Sequence, residues 1–77
     1  MGALVPVLKF NPIALRRVRN ERGLGLRRLA AQTGRSPAVI SKYELGYFVP
    51  SAVGLAELAH ALTTPMDAFF ERVEVAE

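Results

Sequence analysis

The sequence predicts a compact all-α domain of five short helices, flanked by termini with a weaker, strand-like pattern. The chain has 77 residues, of which 51% are hydrophobic and none is cysteine, so its stability has to come from an apolar core without disulfides. Polar capping residues, prolines and glycines divide the chain after Asn11 into segments of helical length. In the fourth segment, apolar residues recur at the i, i+3, i+4 and i+7 positions of one helix face, at Leu55, Leu58, Ala59 and Leu62.

Each predicted helix has at least one end marked by local chemistry: a polar cap before its start, a proline at its first position, or a glycine after its end. Serine, threonine and asparagine accept hydrogen bonds from the first turn, proline fits the first helical position, and glycine adopts the left-handed conformation that ends a helix. In chain order the predicted helices are Pro12–Arg22 behind Asn11, Leu26–Thr33 before Gly34, Pro37–Leu45 behind Ser36, a segment behind Ser51 that includes Leu62, and a short segment from Pro65 behind Thr64.

The two ends of the chain alternate apolar and polar residues, which is the period of a half-buried strand. The alternation is weak over Leu4–Phe10, which contains Pro6, and clear over Arg72–Val75. Three arrangements are open: the tails pair with each other, they pair with the tails of a second subunit, or they fray. We therefore expect an N-terminal arm over residues 1–10, a helical domain over 11–71 and a C-terminal tail over 72–77.

Residues 26–45 have the spacing of a helix-turn-helix, in which two helices meet across a turn of a few residues. Ala30 is small enough for the closest approach of the helices, and Gly34 ends the first of them. Leu29, Ile40 and Tyr43 are expected to seal the inside of the corner. This spacing indicates DNA binding, and the alternative is an ordinary helical hairpin.

Charge is divided unevenly along the chain. Residues 1–42 carry nine lysines and arginines against one glutamate, whereas residues 43–77 carry one arginine against six acidic residues. The basic half suits phosphate and the acidic half should face away from it, unless the arginines only solvate helix surfaces. The longest apolar stretch near the N-terminus, residues 3–8, is too short to span a membrane, so a cytoplasmic protein without a membrane partner is expected.

The residue types needed for catalysis or metal binding are sparse. His60 is the single histidine, and the Gly23-Leu24-Gly25 turn lacks the Gly-Lys-Ser/Thr of a phosphate loop. Ser41, His60 and Asp67 have no spacing that makes a triad. We therefore expect neither an enzyme, nor a metal site, nor a cofactor.

From Phe10 to Phe70 the chain resembles the Cro/C1-type helix-turn-helix domain of prokaryotic and phage repressors, also called the xenobiotic-response-element type. The matching residues are Leu15, Arg19, Leu24, Leu29, Ala30, Gly34, the run Ile40-Ser41-Lys42-Tyr43-Glu44, Gly46, Pro50, Ser51, Leu58, Ala59 and Leu62. The resemblance implies a lambda-repressor-like fold that acts as a transcriptional regulator, more often a repressor. It further implies double-stranded DNA with a palindromic operator as partner, a homodimer, and a prokaryotic or phage origin with action at the nucleoid.

The resemblance also assigns a DNA-contacting surface. The third helix would lie in the major groove and read bases through Pro37, Ala38, Ser41 and Lys42. Phosphates would be met by the start of the second helix at Leu26 and Arg27, by the helix N-terminus at Ser36, and by the following loop at Tyr47 and Phe48.

Three further assignments follow from the same resemblance. Arg19 and Glu44 are expected to form a structural ion pair between the first and third helices. Leu26 stands where the family often has glutamine, so Arg27 and Arg28 are expected to take the phosphate role. Arg35 replaces a small apolar residue, and either opens the corner slightly or reaches outward to phosphate.

The apolar end of the chain is the expected dimer interface, with Phe69, Phe70, Val73 and Val75 as candidates. At least one of the two phenylalanines is expected in the core instead. The alternative function is a protein-binding module, such as an antitoxin or anti-regulator adaptor, that uses the acidic half and the apolar residues 47–49. Such binding is compatible with DNA recognition, so a protein co-regulator is a further expected partner.

Overall fold

The computed structural model describes residues 2–76, so Met1 of the predicted arm and Glu77 of the predicted tail lie outside the described residues. The elements in chain order are β1 (Leu4–Phe10), α1 (Pro12–Glu21), α2 (Leu26–Thr33), α3 (Pro37–Glu44), α4 (Ala52–Ala61), a 3₁₀ helix (Met66–Phe69) and β2 (Phe70–Ala76).

Side-chain caps fix the starts of α1, α3 and α4. The Asn11 Oδ1 atom accepts hydrogen bonds from the backbone N–H groups of Ile13 at 3.0 Å and Ala14 at 3.3 Å. The Oγ atom of Ser51 accepts from the N–H of Gly54 at 3.0 Å. Each cap satisfies donors that have no partner inside the helix, so the bounds of α1 and α4 agree with the sequence prediction to within one residue.

One hydrophobic core joins all four α-helices to the 3₁₀ helix. Its completely buried large side chains are Leu15, Leu29, Ile40, Leu58, Leu62 and Phe69. Arg22 ties the far ends of α1 and α4 together, because its Nε and Nη2 atoms donate to the carbonyl oxygens of Leu62 at 2.8 Å and Thr63 at 3.3 Å. These carbonyl groups lie at the C-terminal end of α4, where a cation is favourable. Arg22 therefore stabilises the fold.

The prediction of a fifth α-helix is wrong, and so is the prediction of a strictly all-α class. Met66–Phe69 is a four-residue 3₁₀ helix that follows Pro65 in extended conformation. Phe70 is already extended, because it is the first residue of β2 and lies opposite Phe10. Only four residues therefore remain between Pro65 and the sheet, which is enough for one 3₁₀ turn but not for an α-helix.

The two tails pair with each other in one chain, which decides among the three predicted arrangements. β1 and β2 form a two-stranded antiparallel sheet with Leu4 opposite Ala76 and Phe10 opposite Phe70; we call this sheet the terminal ribbon. The Asn11 N–H donates to the Phe69 carbonyl oxygen at 2.7 Å and continues the ladder into the helical body. The molecule measures 49 × 22 × 20 Å, so it is elongated for its length.

Opposite residues of an antiparallel pair lie on the same side of the sheet, so each side of the terminal ribbon has its own composition. Val5, Val7, Val73 and Val75 share one side, which we call the valine face. Leu4, Pro6, Leu8, Arg72 and Glu74 lie on the other side. Among the described residues, no helix is long and apolar enough to cross a membrane.

Candidate nucleic-acid interface

The corner between α2 and α3 is closed by backbone hydrogen bonds around Gly34. Gly34 has a φ of +66°, and a Cβ added there would meet nothing within 4 Å. The glycine is therefore required by the left-handed backbone and not by lack of space. The N–H of Arg35 donates to the Ala30 carbonyl oxygen at 2.9 Å, which is the long hydrogen bond of a Schellman ending.

Buried apolar side chains fill the inside of the corner between the two helices. Leu29, Ala30 and Ile40 are buried, and Tyr43 is partly buried against the same core. The hydroxyl of Thr33 donates to the Leu29 carbonyl oxygen at 2.9 Å, so this buried polar group is satisfied. α3 is thereby held at a fixed angle to α2, with its opposite side free.

Arg19 and Glu44 meet between α1 and the end of α3. The Nε and Nη2 atoms of Arg19 donate to the two carboxylate oxygens of Glu44 at 2.5 and 2.9 Å, and its Nη1 donates to the Leu24 carbonyl oxygen at 3.0 Å. The two side chains are only 10% and 6% exposed. The hydrogen bonds that Arg19 donates to this carboxylate raise the pKa of the Arg19 guanidinium above its ordinary value, against the opposing effect of burial. The pair is structural, because neither side chain is free to contact DNA.

The free side of α3 presents the four residues assigned to base reading. Pro37, Ala38 and Lys42 are exposed and Ser41 is half-buried; we call these four residues the reading face. Ser36 caps the helix, since its Oγ accepts a hydrogen bond from the N–H of Val39 at 3.2 Å.

Lys42 is the one charged side chain of the reading face, and it does not extend freely into solvent. Its Nζ atom lies 5.0 Å from the centre of the Phe48 ring, within cation–π distance. The aromatic ring therefore favours positions of the ammonium group beside the helix.

Exposed cations lie on α2, the helix that precedes α3. Arg27 and Arg28 are exposed, and Leu26 is half-buried. A cleft of about 240 Å³ runs between α1, α2 and α3 and is lined by Arg16, Arg19, Leu26, Ser41, Glu44 and Leu45. Arg16 is exposed at this cleft and thus joins the same surface as Ser41. Sequence reasoning counted Arg16 only in the basic half, although the i−3 spacing from Arg19 on α1 points to a position near it.

Arg35 does not extend toward the reading face. Its Nη1 donates to the Thr33 carbonyl oxygen at 2.8 Å and its Nη2 to the Glu57 carboxylate on α4 at 2.9 Å. The hydrogen bond to Glu57 is the main reason that the pKa of Arg35 is raised above its ordinary value. We therefore leave Arg35 out of the phosphate-contacting set, because its guanidinium already spans α2 and α4.

The loop after α3 is apolar and exposed. Tyr47 is 73% exposed, Phe48 46% and Val49 71%, and we call these three residues the apolar loop. Leu45 next to it is also exposed.

The four predicted interface residues do not share one surface. Phe69 is completely buried and belongs to the core, so it cannot form a dimer interface in the folded chain. Phe70 is half-buried at the base of the terminal ribbon, whereas Val73 and Val75 lie further out on its valine face.

The residue types of a triad are not brought together. His60 lines a shallow surface cavity with Gln32, Val53, Ala56 and Glu57, whereas Ser41 lies in the cleft beside α1. Within residues 2–76, no group of histidine and acidic side chains is placed to hold a metal ion.

The family described as "Helix-turn-helix domain" matches residues 13–69. Among solved structures, the clp gene regulator ClgR from Corynebacterium glutamicum is 34% identical, with a TM-score of 0.70 over 74% of this chain and 80% of that chain. The restriction-modification controller protein C.AhdI from Aeromonas hydrophila is 29% identical, with a TM-score of 0.73 over 77% of this chain and 89% of that chain.

The same fold is found at lower identity in a repressor protein. The P22 c2 repressor, solved in complex with a synthetic operator, is 23% identical, with a TM-score of 0.72 over 79% of this chain and 92% of that chain. This likeness shows the fold alone. No curated protein matches the chain by sequence.

Proposed function

The chain belongs to the helix-turn-helix family of Cro/C1-type regulators, and from that premise we propose that it binds a specific double-stranded DNA sequence as a homodimer and represses transcription there. In this proposal α3 enters the major groove and α2 crosses the backbone. Two copies on a palindromic operator place their reading helices about 34 Å apart. The proposed place of action is the nucleoid of a prokaryotic cytoplasm, whether the gene is chromosomal or phage-encoded.

The observation that carries the proposal is that Ser41, on the exposed side of α3, lines one cleft with the exposed cation Arg16. Pro37, Ala38, Ser41 and Lys42 lie on the free side of α3, and Arg27 and Arg28 are exposed on α2, the neighbouring helix. Phosphate contacts supply affinity and register, whereas contacts to base edges supply sequence preference. The surface combines both kinds of group.

The chemistry of the reading face limits how it reads bases. The Lys42 ammonium can donate to guanine O6 or N7, the Ser41 hydroxyl can donate or accept, and the apolar carbons of Pro37 and Ala38 can contact a thymine methyl group. Two polar side chains are a short set for direct recognition. We therefore propose that phosphate contacts at Ser36, Tyr47 and Phe48, together with DNA shape, contribute much of the selectivity.

The proposal is tested by fluorescence anisotropy on an operator obtained by binding-site selection and on random duplex, each across a salt series. We expect tighter binding to the operator, and a fall in affinity with salt on both DNAs because counterions are released. Equal affinities and equal salt slopes on the two DNAs would exclude base-specific reading.

The Lys42→Ala and Arg27→Ala variants separate base reading from phosphate binding. Lys42→Ala should reduce discrimination by about 1–3 kcal/mol at one base pair, because one donor to a base edge is lost. Arg27→Ala should weaken binding to all sequences alike and reduce the salt slope by about one, because one phosphate contact is lost. A scan of single-base operator variants with both proteins measures the two effects, and a uniform loss in Lys42→Ala would assign that side chain to phosphate.

The apolar loop supports a second candidate function, a protein-binding module of the adaptor or antitoxin kind. The three consecutive residues Tyr47, Phe48 and Val49 are all exposed. Contiguous exposed apolar side chains are typical of interaction sites. The two functions are separated by selection from a random DNA library. Enrichment of a sequence motif supports DNA binding, whereas selection of no sequence, with a stable protein complex in the host extract, favours the adaptor.

A further inference from the structure

The terminal ribbon is a two-stranded sheet that extends from the helical body without packing on it along its outer part. Val7, Val75 and Leu8 are 38%, 44% and 72% exposed. A two-stranded sheet is marginal in water unless further strands or a helix cover it. The outer part of the ribbon therefore has an exposed apolar surface and two outer strand edges whose backbone groups pair with no further strand.

The hydrogen-bonding phase of the ladder shows which backbone groups point outward. Residues of an antiparallel pair alternate between those that bond to each other and those that point away. The Asn11 N–H bonds to Phe69, and this pair continues the register in which Val7 lies opposite Val73. The odd-numbered residues thus bond across the ribbon, and the even-numbered residues direct their backbone groups to its outer edges.

The two outer edges differ in their capacity to bind another strand. On β1 the central outward residue is Pro6, which lies opposite Glu74 and has no N–H to donate. On β2 the outward residues are Phe70, Arg72, Glu74 and Ala76, each with an N–H and a carbonyl group. The β2 edge is therefore the one that can accept a complete strand.

We propose that a second copy of this chain pairs antiparallel along the β2 edge, with Val73 opposite Val73 of the second copy, to form a continuous four-stranded sheet. The inference gives a surface and a register to the homodimer of the proposed function and rests on it in that respect. It does not depend on DNA being bound.

Charge selects this register among the neighbouring ones. With Val73 on the two-fold axis, Arg72 lies opposite Glu74 of the second copy, and the same pair occurs twice. A shift by two residues in either direction puts Arg72 opposite Arg72, or Glu74 opposite Glu74, and like charges directly opposite are unfavourable. In the single chain the side chains of Arg72 and Glu74 are 67% and 50% exposed, and the Arg72 Nη2 and Glu74 Oε1 atoms are 4.0 Å apart. Both side chains are therefore accessible to new partners.

The arrangement also avoids a clash between the helical bodies. Each body is attached at the Phe70 end of β2, and antiparallel pairing puts these ends at opposite ends of the sheet. The seven residues from Phe70 to Ala76 extend about 20 Å, because the six steps between them rise about 3.4 Å each. The sheet then carries the valine faces of both copies side by side on one surface.

A charge-exchange experiment tests the pairing by sedimentation equilibrium of the full chain without DNA. Alone, Arg72→Glu would bring two glutamates opposite each other at both sites, and Glu74→Arg would bring two arginines opposite each other. We expect each variant alone to dissociate at least about tenfold more readily than the unaltered chain. An equimolar mixture should regain the original association, because both sites then pair Glu with Arg. Association unaffected in the single variants, a mixture that stays monomeric, or an unaltered chain that is monomeric at high concentration would each overturn the proposal.

Single cysteines test the register, since the natural chain has none. Cysteine in place of Val73 would face itself across the axis at the Cβ separation of about 4.5–5.5 Å found between opposite residues, and should form a disulfide dimer under mild oxidation. The matched control is Val75→Cys, on the same face, which would lie opposite Glu71 and should crosslink much less. Equal crosslinking of both variants would contradict this register.

Binding to a single operator half-site keeps the two proposals distinguishable. Arg72→Glu should retain half-site affinity while it loses the dimer, because the terminal ribbon lies outside the reading face. If the unaltered chain forms the dimer but selects no DNA, the proposed function fails and the ribbon pairing stands. If it binds the half-site but stays monomeric, the pairing fails and DNA binding stands.

Discussion

Replacing Glu44 by alanine is expected to lower the free energy of unfolding by about 3–5 kcal/mol, the typical effect of removing one member of a buried ion pair. The change leaves the Arg19 guanidinium with a side chain that is 10% exposed and without its carboxylate partner. A chain of this length has a total stability of roughly 4–11 kcal/mol. The loss therefore amounts to between about a quarter and the whole of this stability.

Urea denaturation followed by circular dichroism measures this effect, with Glu57→Ala as the matched control. Glu57 also pairs with an arginine, but its side chain is 49% exposed, so its loss should cost about 0–1 kcal/mol. Similar losses of unfolding free energy in the two variants would show that the buried Arg19–Glu44 pair stabilises the chain no more than the exposed pair does. Hydrogen bonding to Glu44 raises the pKa of Arg19 in the folded chain. The contribution of the charged guanidinium to stability is therefore fully present below the ordinary pKa of arginine, and it is lost only as the pH rises through the raised value.

Replacing Phe69 by alanine should cost about 3–5 kcal/mol, because a completely buried aromatic side chain leaves a cavity when it is truncated. Phe69 is the last residue of the 3₁₀ helix, and its carbonyl oxygen accepts the first hydrogen bond between the helical body and the terminal ribbon. The loss should appear as a lower urea midpoint for the whole domain, measured on the monomer at low protein concentration.

The adjacent Phe70→Ala variant is the control, since Phe70 is only half-buried. Its loss should be less than half as large, because less apolar surface is removed from the protein interior. A destabilisation of Phe69→Ala that vanishes on dilution would instead assign Phe69 to an interface between copies.

The α-helices could be predicted from the sequence because the determinants of their ends are local. The cap at Asn11, the cap at Ser51 and the left-handed Gly34 each act within a few residues of their own position. Local chemistry of this kind fixes helix ends without knowledge of the tertiary fold. The bounds of the four α-helices follow from it to within one residue.

The terminal ribbon and two arginine side chains could not be predicted in the same way. Strand pairing of β1 with β2 joins residues more than fifty positions apart, and the alternation in each tail fits a partner strand from either the same chain or another. Arg22 and Arg35 end on carbonyl and carboxylate groups supplied by α4 or by the corner itself. Their long side chains reach several targets, and only the packing of the helices decides among them.

Pro6 has a further consequence for how far assembly can proceed. A sheet with two receptive edges can add molecules at both sides without end, which leads to fibres. Since proline removes a donor from the middle of the β1 edge, each chain offers a single receptive edge, and that edge is consumed when two copies meet. Replacing Pro6 by a residue with an N–H would turn a self-limiting association into one capable of open-ended growth.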